Sequence, residues 1–592
     1  VKRSQLWAEA VVRSVARLGW GAPALYLFAT VVAFGVYAAR RDPARPPVDN
    51  SIKIWFLEDD QTLVDYREFQ RVFGQDEAVI VAWREERSVY EPAALDLVAD
   101  VSRRLAALPH VEGVTSLSTV LSAESVTLPD GVEEVRIDRL FRAPVRDEAA
   151  AQEVRRRVSG DPLVRDHLVS ADERTTIISV QPSRSEDLDL LRAPLLASIE
   201  ATLDQALRQA GRDPSREGWW RWGGGGVVNE ALNTASQRDS GLFTLLSLLV
   251  IAGVLWVMLR RLLAALVALA AVGLATALLI GLYLATGNAL NMVTAALPSL
   301  VLVIGLTDSI YFISAWQQQR EGLLAEGLTR REAVVRAVGS CFIPGFFNSV
   351  TASAGFLAFA AAPMAVLRTF GVFSGLGIAL AFGASLVVCT AAFQRFDLGA
   401  PRPAGQAPRT EAALVALSRL VARRRWHVLA GALFVVGVSV AGVARLRFDS
   451  DPVRYFYEDH PIRVHDAFFA AAYGPYLPLE FVVDTGAAGD VTRPEVLRAL
   501  DAFARRVVER EPSLAGGASI AGVVRRLHLV LGGVDSIPDD RAAVEQMMLW
   551  YDPDRPDDPM RLVDVPGWRR ARVTLRATSL GAADGLDLLA RV

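Results

Sequence analysis

The sequence is poor in cysteine and almost devoid of lysine. Its two cysteines, Cys341 and Cys389, both fall in or beside long apolar stretches, so the polar stretches hold no disulfide and cysteine leaves the compartment open. No cysteine cluster has metal-ligand spacing and no H-E-x-x-H occurs, so no metal site is expected. No G-x-x-x-x-G-K-[ST] loop occurs either, and nothing suggests that ATP drives this chain in cis. Lysine appears only at Lys2 and Lys53, the other basic residues being arginine, and the net charge of −3 gives no hint of nucleic-acid binding. No catalytic constellation stands out, so an enzyme is not expected, and no cofactor is called for.

What is abundant is apolar sequence. At 52% hydrophobic the chain is too apolar for an ordinary soluble protein, yet with 22% charged residues it is too charged for a bare membrane bundle. It reads as both together. Residues 290–316 are apolar for long enough to cross a bilayer but carry one acid, Asp308, between Thr307 and Ser309. A carboxylate in hydrocarbon costs at least about 2.5–3.5 kcal/mol. Either it is a structural acid neutralised by its neighbours, or it carries an ion. Intramembrane acids default to function, which favours the second reading.

The next span, residues 342–362, is joined to the first by a short loop, so the two run antiparallel. Counting from that loop places Asn348, Ser349, Thr351 and Ser353 at about the depth of Asp308. Their side chains can hydrogen-bond an acid in either protonation state. Burial favours the neutral acid and a nearby donor favours the carboxylate, a balance that lets a site load and release a proton. The bland alternative is that the polar cluster is helix–helix glue.

These residues also carry a resemblance. Residues 305–311, GLTDSIY, resemble the fourth-span motif of the RND superfamily in its MMPL-like and Patched-like branch. Residues 348–357, NSVTASAGFL, and 367–373, LRTFGVF, resemble that branch's fifth and sixth spans. The resemblance implies that the proton-relay acid is Asp308; Asn348 and Thr351, at its depth, are expected as its relay partners, with Gly305, Thr307, Ser309, Tyr311, Ser349 and Ser353 as supporting motif. Other members carry Asp-Tyr or paired acids where this chain has Asp308 and Ser309. Implied too are outward export of a hydrophobic or amphiphilic substrate (lipid or drug class), contact with membrane lipids and a homo-oligomer.

Taken in order, residues 1–21 read as an interfacial amphipathic helix, with Leu6, Trp7, Ala10, Val11 and Leu18 on its apolar face. A signal peptide competes, but no small-residue cleavage site follows, so residues 22–39 are expected as an uncleaved first span. Residues 42–49 are a Pro- and Arg-rich exit into a polar domain over residues 40–240. Strands are expected at residues 78–83, 111–116, 175–180 and 219–223, with helices at 92–108 and 186–210. This βαβ-then-βαβ order is the ferredoxin-like arrangement of an RND porter domain. The run Gly223 to Gly226 lacks the Lys and spacing of a phosphate loop; a joint or a close backbone approach fits it better. Trp219, Trp220 and Trp222 beside it read as packing, or alternatively as a hydrophobic substrate surface.

Spans two to six fill residues 241–394, an Arg-rich cytoplasmic linker residues 395–427, and a seventh span residues 428–443. Arginines crowd the loops after spans two, four and six, whereas the alternate loops at residues 286–289 and 363–369 hold only Arg368. The positive-inside rule then puts the N-terminus in the cytoplasm and the large domains outside, in a multi-pass protein of a bacterial inner membrane. Thr329 and Glu332 are spaced as a capping box leading into span five.

A repeat follows the seventh span. WFLEDD at residues 55–60 is echoed by YFYEDH at 455–460, and Phe69 and Gly74 by Phe469 and Gly474. Strand and helix patterns continue in parallel at an offset of about four hundred residues. Residues 444–592 are therefore expected as a second extracytoplasmic α/β domain, incomplete. If the repeat completes itself, about two hundred residues are missing. The expected fold class is a polytopic α-helical membrane bundle plus α+β extracytoplasmic domains in a tandem pseudo-repeat. The functional expectation is a proton-motive-force-driven exporter. A protein-export accessory of the SecD/SecF type and a sterol- or lipid-sensing receptor are the competing readings.

Overall fold

The computed structural model describes residues 2–41, 60–74, 77–127, 133–183, 188–216, 218–259, 261–398, 409–443, 445–446, 451–550, 561–578 and 581–592. The exit at residues 42–49, the first copy of the WFLEDD motif apart from its last residue, Arg260 and Arg402 lie outside them. The chain divides into two units, Val1–Glu58 with Asn233–Arg447 and Asp59–Leu232 with Phe448–Val592.

Helix α1 (Lys2–Leu18) precedes α2 (Gly21–Arg40). The face of α1 that carries Ala8, Val12 and Ala16 is buried in the same core as α11 and α12 below, while Leu6 and Leu18 stay exposed. The soluble elements of the first segment then follow: α3 (Gln61–Phe73), β1 (Val79–Arg84), α4 (Pro92–Ala106), β2 (Val111–Thr115), β3 (Leu121–Thr127), β4 (Glu133–Arg139), α5 (Glu148–Ser159), α6 (Pro162–Leu168), β5 (Thr175–Pro182), α7 (Leu188–Gln209) and β6 (Trp220–Gly223). Strands β2-β5-β1-β6 form one antiparallel sheet in that order, and β3 pairs with β4 as a separate hairpin. In α4 the apolar residues Leu95, Val98, Val101 and Leu105 recur every three or four positions and are all buried, which is why the segment is helical and which face it turns inward. The hairpin and α5 and α6 were not expected from the sequence, because their polar composition hides the period.

The membrane unit continues through α8 (Gly225–Leu259), α9 (Leu262–Ala285), α10 (Leu297–Ala325), α11 (Arg330–Leu357), α12 (Ala365–Arg395), α13 (Arg409–Arg423) and α14 (Arg425–Val443). Among the described residues, seven helices are long and apolar enough to cross a membrane: α2, α8 to α12 and α14. Helix α11 opens on the expected capping box, in which the Thr329 hydroxyl accepts from the Glu332 N–H at 3.3 Å and the Glu332 carboxylate accepts from the Thr329 N–H at 3.1 Å. Before α10 the Asn291 side chain accepts from the N–H groups of Val293 and Thr294, and Tyr283 Oη donates to the Ala289 carbonyl at 2.7 Å, pinning the short loop. Helix α12 is the hub, packing on α9, α10 and α11. It does so through small residues: a Cβ at Gly305 of α10 would stand 2.5 Å from the Ala381 Cβ, and one at Gly375 would stand 2.7 Å from Leu357 Cγ.

The last segment holds α15 (Pro461–Tyr473), β7 (Leu477–Asp484), α16 (Pro494–Arg510), β8 (Leu514–Ser519), α17 (Ile520–Gly532), α18 (Arg541–Trp550), β9 (Arg570–Ala577) and α19 (Ala582–Arg591). Its antiparallel sheet runs β7-β9-β8. Within the soluble unit the two segments exchange their leading helices. From α15, Phe469 packs with Ala82 of β1 and against Gly223 of β6. From α3, Glu68 pairs with Arg570 of β9 at 2.7 Å, and Phe69 lies 5.2 Å under the Arg572 guanidinium. The Gly223 to Gly226 run is a close backbone approach: Gly224 sits at φ +104°, where a Cβ would meet the Ala78 carbonyl oxygen at 2.2 Å.

Candidate functional site: a buried acid between three helices

Helix α10 turns a narrow stripe inward. Val301, Gly305, Asp308, Phe312 and Trp316, spaced by three or four, are all buried on it. Asp308 is only 1% exposed. The matching stripe of α11 is Val338, Phe342, Gly345, Ser349 and Ser353, again every three or four residues. Where the stripes meet, Ser349 Oγ donates to Asp308 Oδ2 at 2.7 Å. The other carboxyl oxygen, Oδ1, is buried and accepts no hydrogen bond. It faces Gly345, whose absent side chain leaves it room: a Cβ there would stand 3.7 Å from Oδ1 and 3.4 Å from the Phe382 ring. No cation pairs with Asp308 among the described residues. One oxygen is therefore held by a hydroxyl and the other has no partner among the described residues.

Beside this pair, Ser309 and Ser385 of α12 share a hydrogen bond of 2.8 Å, and Ser353 Oγ donates to the Gly375 carbonyl at 3.0 Å. One helical turn towards the C-terminal end of α10 lies an aromatic layer. Phe382 sits 6.0 Å from Phe312, 5.5 Å from Phe342 and 5.9 Å from Phe346. Beyond it, Trp316 and Phe393 stack at 5.6 Å. The acid is thus screened from that face of the bundle by two tiers of rings.

Of the residues expected at the site, Asp308, Ser349, Ser353, Ser309 and Gly305 are buried together. Asn348 and Thr351 are not brought to Asp308, and this corrects the expectation: both lie on the exposed face of α11. Their depth is right, but each residue turns about 100° around a helix. Ser349 and Ser353 share one face, and Asn348 and Thr351 fall outside it. Thr307 is half-buried and Tyr311 is 46% exposed, so neither joins the acid. Sequence reasoning missed Gly345, Phe382 and Ser385. The signal was present in span six, where Gly371, Ser374, Gly375, Ala381 and Ser385 trace a small-residue stripe that marks the packed face. No group of three or more His, Cys, Asp or Glu that would hold a metal ion occurs among the described residues.

A polytopic bundle of apolar helices with an acid at its centre, joined to sheet-bearing soluble segments, defines a multi-pass membrane protein. The MMPL family model matches residues 89–433, and the chain belongs to that family, whose members are RND-type membrane transporters and not enzymes. No individually curated protein matches the chain.

Proposed function

We propose that this chain is an exporter of a hydrophobic or amphiphilic substrate of the lipid or drug class, driven by the proton-motive force, with Asp308 as the group that carries the proton. The observation that carries this reading is the Asp308 carboxyl itself, buried, bonded through one oxygen to Ser349 and without a partner on the other. A purely structural acid would be expected to have both oxygens satisfied. A membrane potential supplies about 2.3 kcal/mol per charge per 100 mV, and protonation of Asp308 from one face with release to the other would let the bundle use it. In this reading the aromatic layer beside the acid stands on the release route, and release requires the helices to shift.

In the same reading the soluble unit lies outside a bacterial inner membrane, with the N-terminus inside, and the domain boundaries are those drawn from the sequence. The sheet order β2-β5-β1-β6 supports a ferredoxin-like porter domain, and the matching order β8-β9-β7 supports the tandem pseudo-repeat. The test is efflux of a fluorescent lipid or dye from vesicles with and without an imposed proton gradient. Gradient-dependent efflux by the parent and background efflux by Asp308→Asn at equal abundance are expected. Full efflux in that variant, or efflux indifferent to the gradient, overturns the proposal.

A further inference from the structure

At one end of the four-stranded sheet, three strand ends are tied together by the backbone. The Arg84 N–H donates to the Trp219 carbonyl at 2.8 Å, and the Glu85 N–H donates to the Arg174 carbonyl at 2.7 Å. They rim a cavity of about 400 Å³ within the soluble unit, lined by the four arginines Arg84, Arg174, Arg216 and Arg221 and by the glutamates Glu85 and Glu86. Both glutamates are already engaged. Glu85 is buried and accepts from Trp83 Nε1 at 2.8 Å and from Arg212 at 3.0 and 2.6 Å. Glu86 pairs with Arg216 at 2.9 Å. Asp172, in the field of Arg84 and Arg174, is occupied by Ser170 Oγ at 2.5 Å and the Arg174 N–H at 3.1 Å. Among the described residues neither Arg84 nor Arg174 forms an ion pair, and Asp172 is the carboxylate set in the field of both.

The arginines are also held in place. Arg212 and Arg216 lie 4.6 and 5.4 Å from the Trp219 ring, and Arg84 and Arg221 lie 6.0 and 4.3 Å from the Phe468 ring. A guanidinium laid on an aromatic face keeps its N–H edge for another acceptor. The indole Nε1 of Trp219, in the same wall, is buried and has no hydrogen-bond partner. A buried donor without an acceptor, in a wall of arginines, calls for an oxygen ligand.

We propose that this cavity binds the oxyanion, phosphate or carboxylate, of an anionic amphiphile, with Arg84 and Arg174 supplying charge-assisted hydrogen bonds and Trp219 a further donor. The inference rests on the transport reading above and narrows it, because it assigns a negative charge to the head of the substrate. It requires no proton gradient, so it is tested separately from coupling. The full chain in an uncharged detergent is titrated with dihexanoyl phosphatidic acid, with dihexanoyl phosphatidylcholine and with inorganic phosphate, and tryptophan fluorescence is read.

The acidic lipid should bind about tenfold or more tighter than the zwitterionic one of the same chain length. Arg84→Gln and Arg174→Gln should each weaken it about tenfold, Arg174→Lys should retain most of it, and Trp219→Phe should remove most of the fluorescence change. Arg103→Gln, at an exposed pair with Asp100 on α4, should bind as the parent does. Asp308→Asn should also bind normally, so that a loss of transport is not mistaken for a loss of this site. Equal affinity for the two lipids, or unchanged affinity in both glutamine variants, overturns the proposal. Inorganic phosphate that binds as tightly as the acidic lipid assigns the site to a free anion and overturns the amphiphile part.

Discussion

Glu85 and Asp308 are both buried carboxylates, 4% and 1% exposed, and they are built in opposite ways. Glu85, in the soluble unit, has both oxygens engaged by the Trp83 indole and the Arg212 guanidinium. Asp308, in the membrane unit, has one hydroxyl donor and no cation among the described residues. Burial is common to both, so burial does not mark function. What distinguishes them is satisfaction: a fully paired charge fixes a strand end, whereas a half-satisfied acid can change its protonation without dismantling its surroundings. The comparison also separates two meanings of an ionisable residue in a core. One holds a fold in register, and the other, in the function proposed above, carries the proton.

The largest expected effect comes from breaking the satisfied partner. Glu85→Gln leaves Arg212 facing a neutral amide in a half-buried site. Removing one member of a buried ion pair costs about 3–5 kcal/mol, and the partial exposure of Arg212 brings this down to about 2–3 kcal/mol. The soluble unit should melt several degrees lower. A Glu85→Gln protein of unchanged melting temperature would mean that the pairing contributes nothing, and the contrast with Asp308 would lose one side.

Next in size is Ser349→Ala. The hydroxyl is the one donor to Asp308, and a net hydrogen bond of about 1 kcal/mol corresponds to a factor of about five in rate. Efflux should fall by that order with abundance unchanged, and Ser349→Thr, which retains the hydroxyl, should recover most of it. Equal efflux by the alanine variant and the parent would remove Ser349 from the relay.

A half-buried titratable group sharpens the comparison from the soluble side. His465 of α15 is held down to about 4, first by burial and then by the positive field of Arg221, against the opposing bond to the Trp222 backbone. Its unfolded value is near 6.5. Between those values the unfolded chain binds the extra proton and the folded one does not, so stability falls as pH drops from about 6.5 towards 4 and is flat above. The melting temperature of the full chain should therefore decline across this window. His465→Gln should flatten that decline, and an unchanged slope in the variant would show that other groups set it.

The sequence made some of this legible and concealed the rest for physical reasons. Spans were legible because twenty or so apolar residues have few other readings in water: the span expected at residues 22–39 falls in the helix Gly21–Arg40. Strand β1 was legible because Val79, Val81 and Trp83 alternate, even though Phe469 and Tyr476 cover the other face as well. Asp308 stood out because charge is costly in hydrocarbon. Its neighbours did not, because loop counting gives depth along a helix and says nothing of azimuth. Ser349 and Asn348 are adjacent in sequence and lie on different faces of α11. The arginine cavity was hidden for a related reason. Arg84 and Arg221 lie on β1 and β6 and Arg174 immediately precedes β5, and only the antiparallel pairing of β5, β1 and β6 brings them to one end of a sheet.

The smallest effect should come from the two residues that share the depth of Asp308 but not its face. Asn348 and Thr351 are exposed on α11, among the exposed apolar side chains Phe347, Val350 and Leu357. Neither makes a side-chain hydrogen bond to the acid, whose serine partner is on the opposite flank of the same helix. Replacing them by Leu and Val removes polar groups from an apolar surface and takes nothing from the carboxyl. Asn348→Leu and Thr351→Val, singly and together, should keep efflux within about twofold of the parent, with no loss of abundance. If the double variant instead lost as much efflux as Ser349→Ala, α11 would have to rotate during the cycle and present its second polar face to Asp308. The acid would then be satisfied alternately by two sets of donors, and the single bond from Ser349 would describe only one state of the carrier.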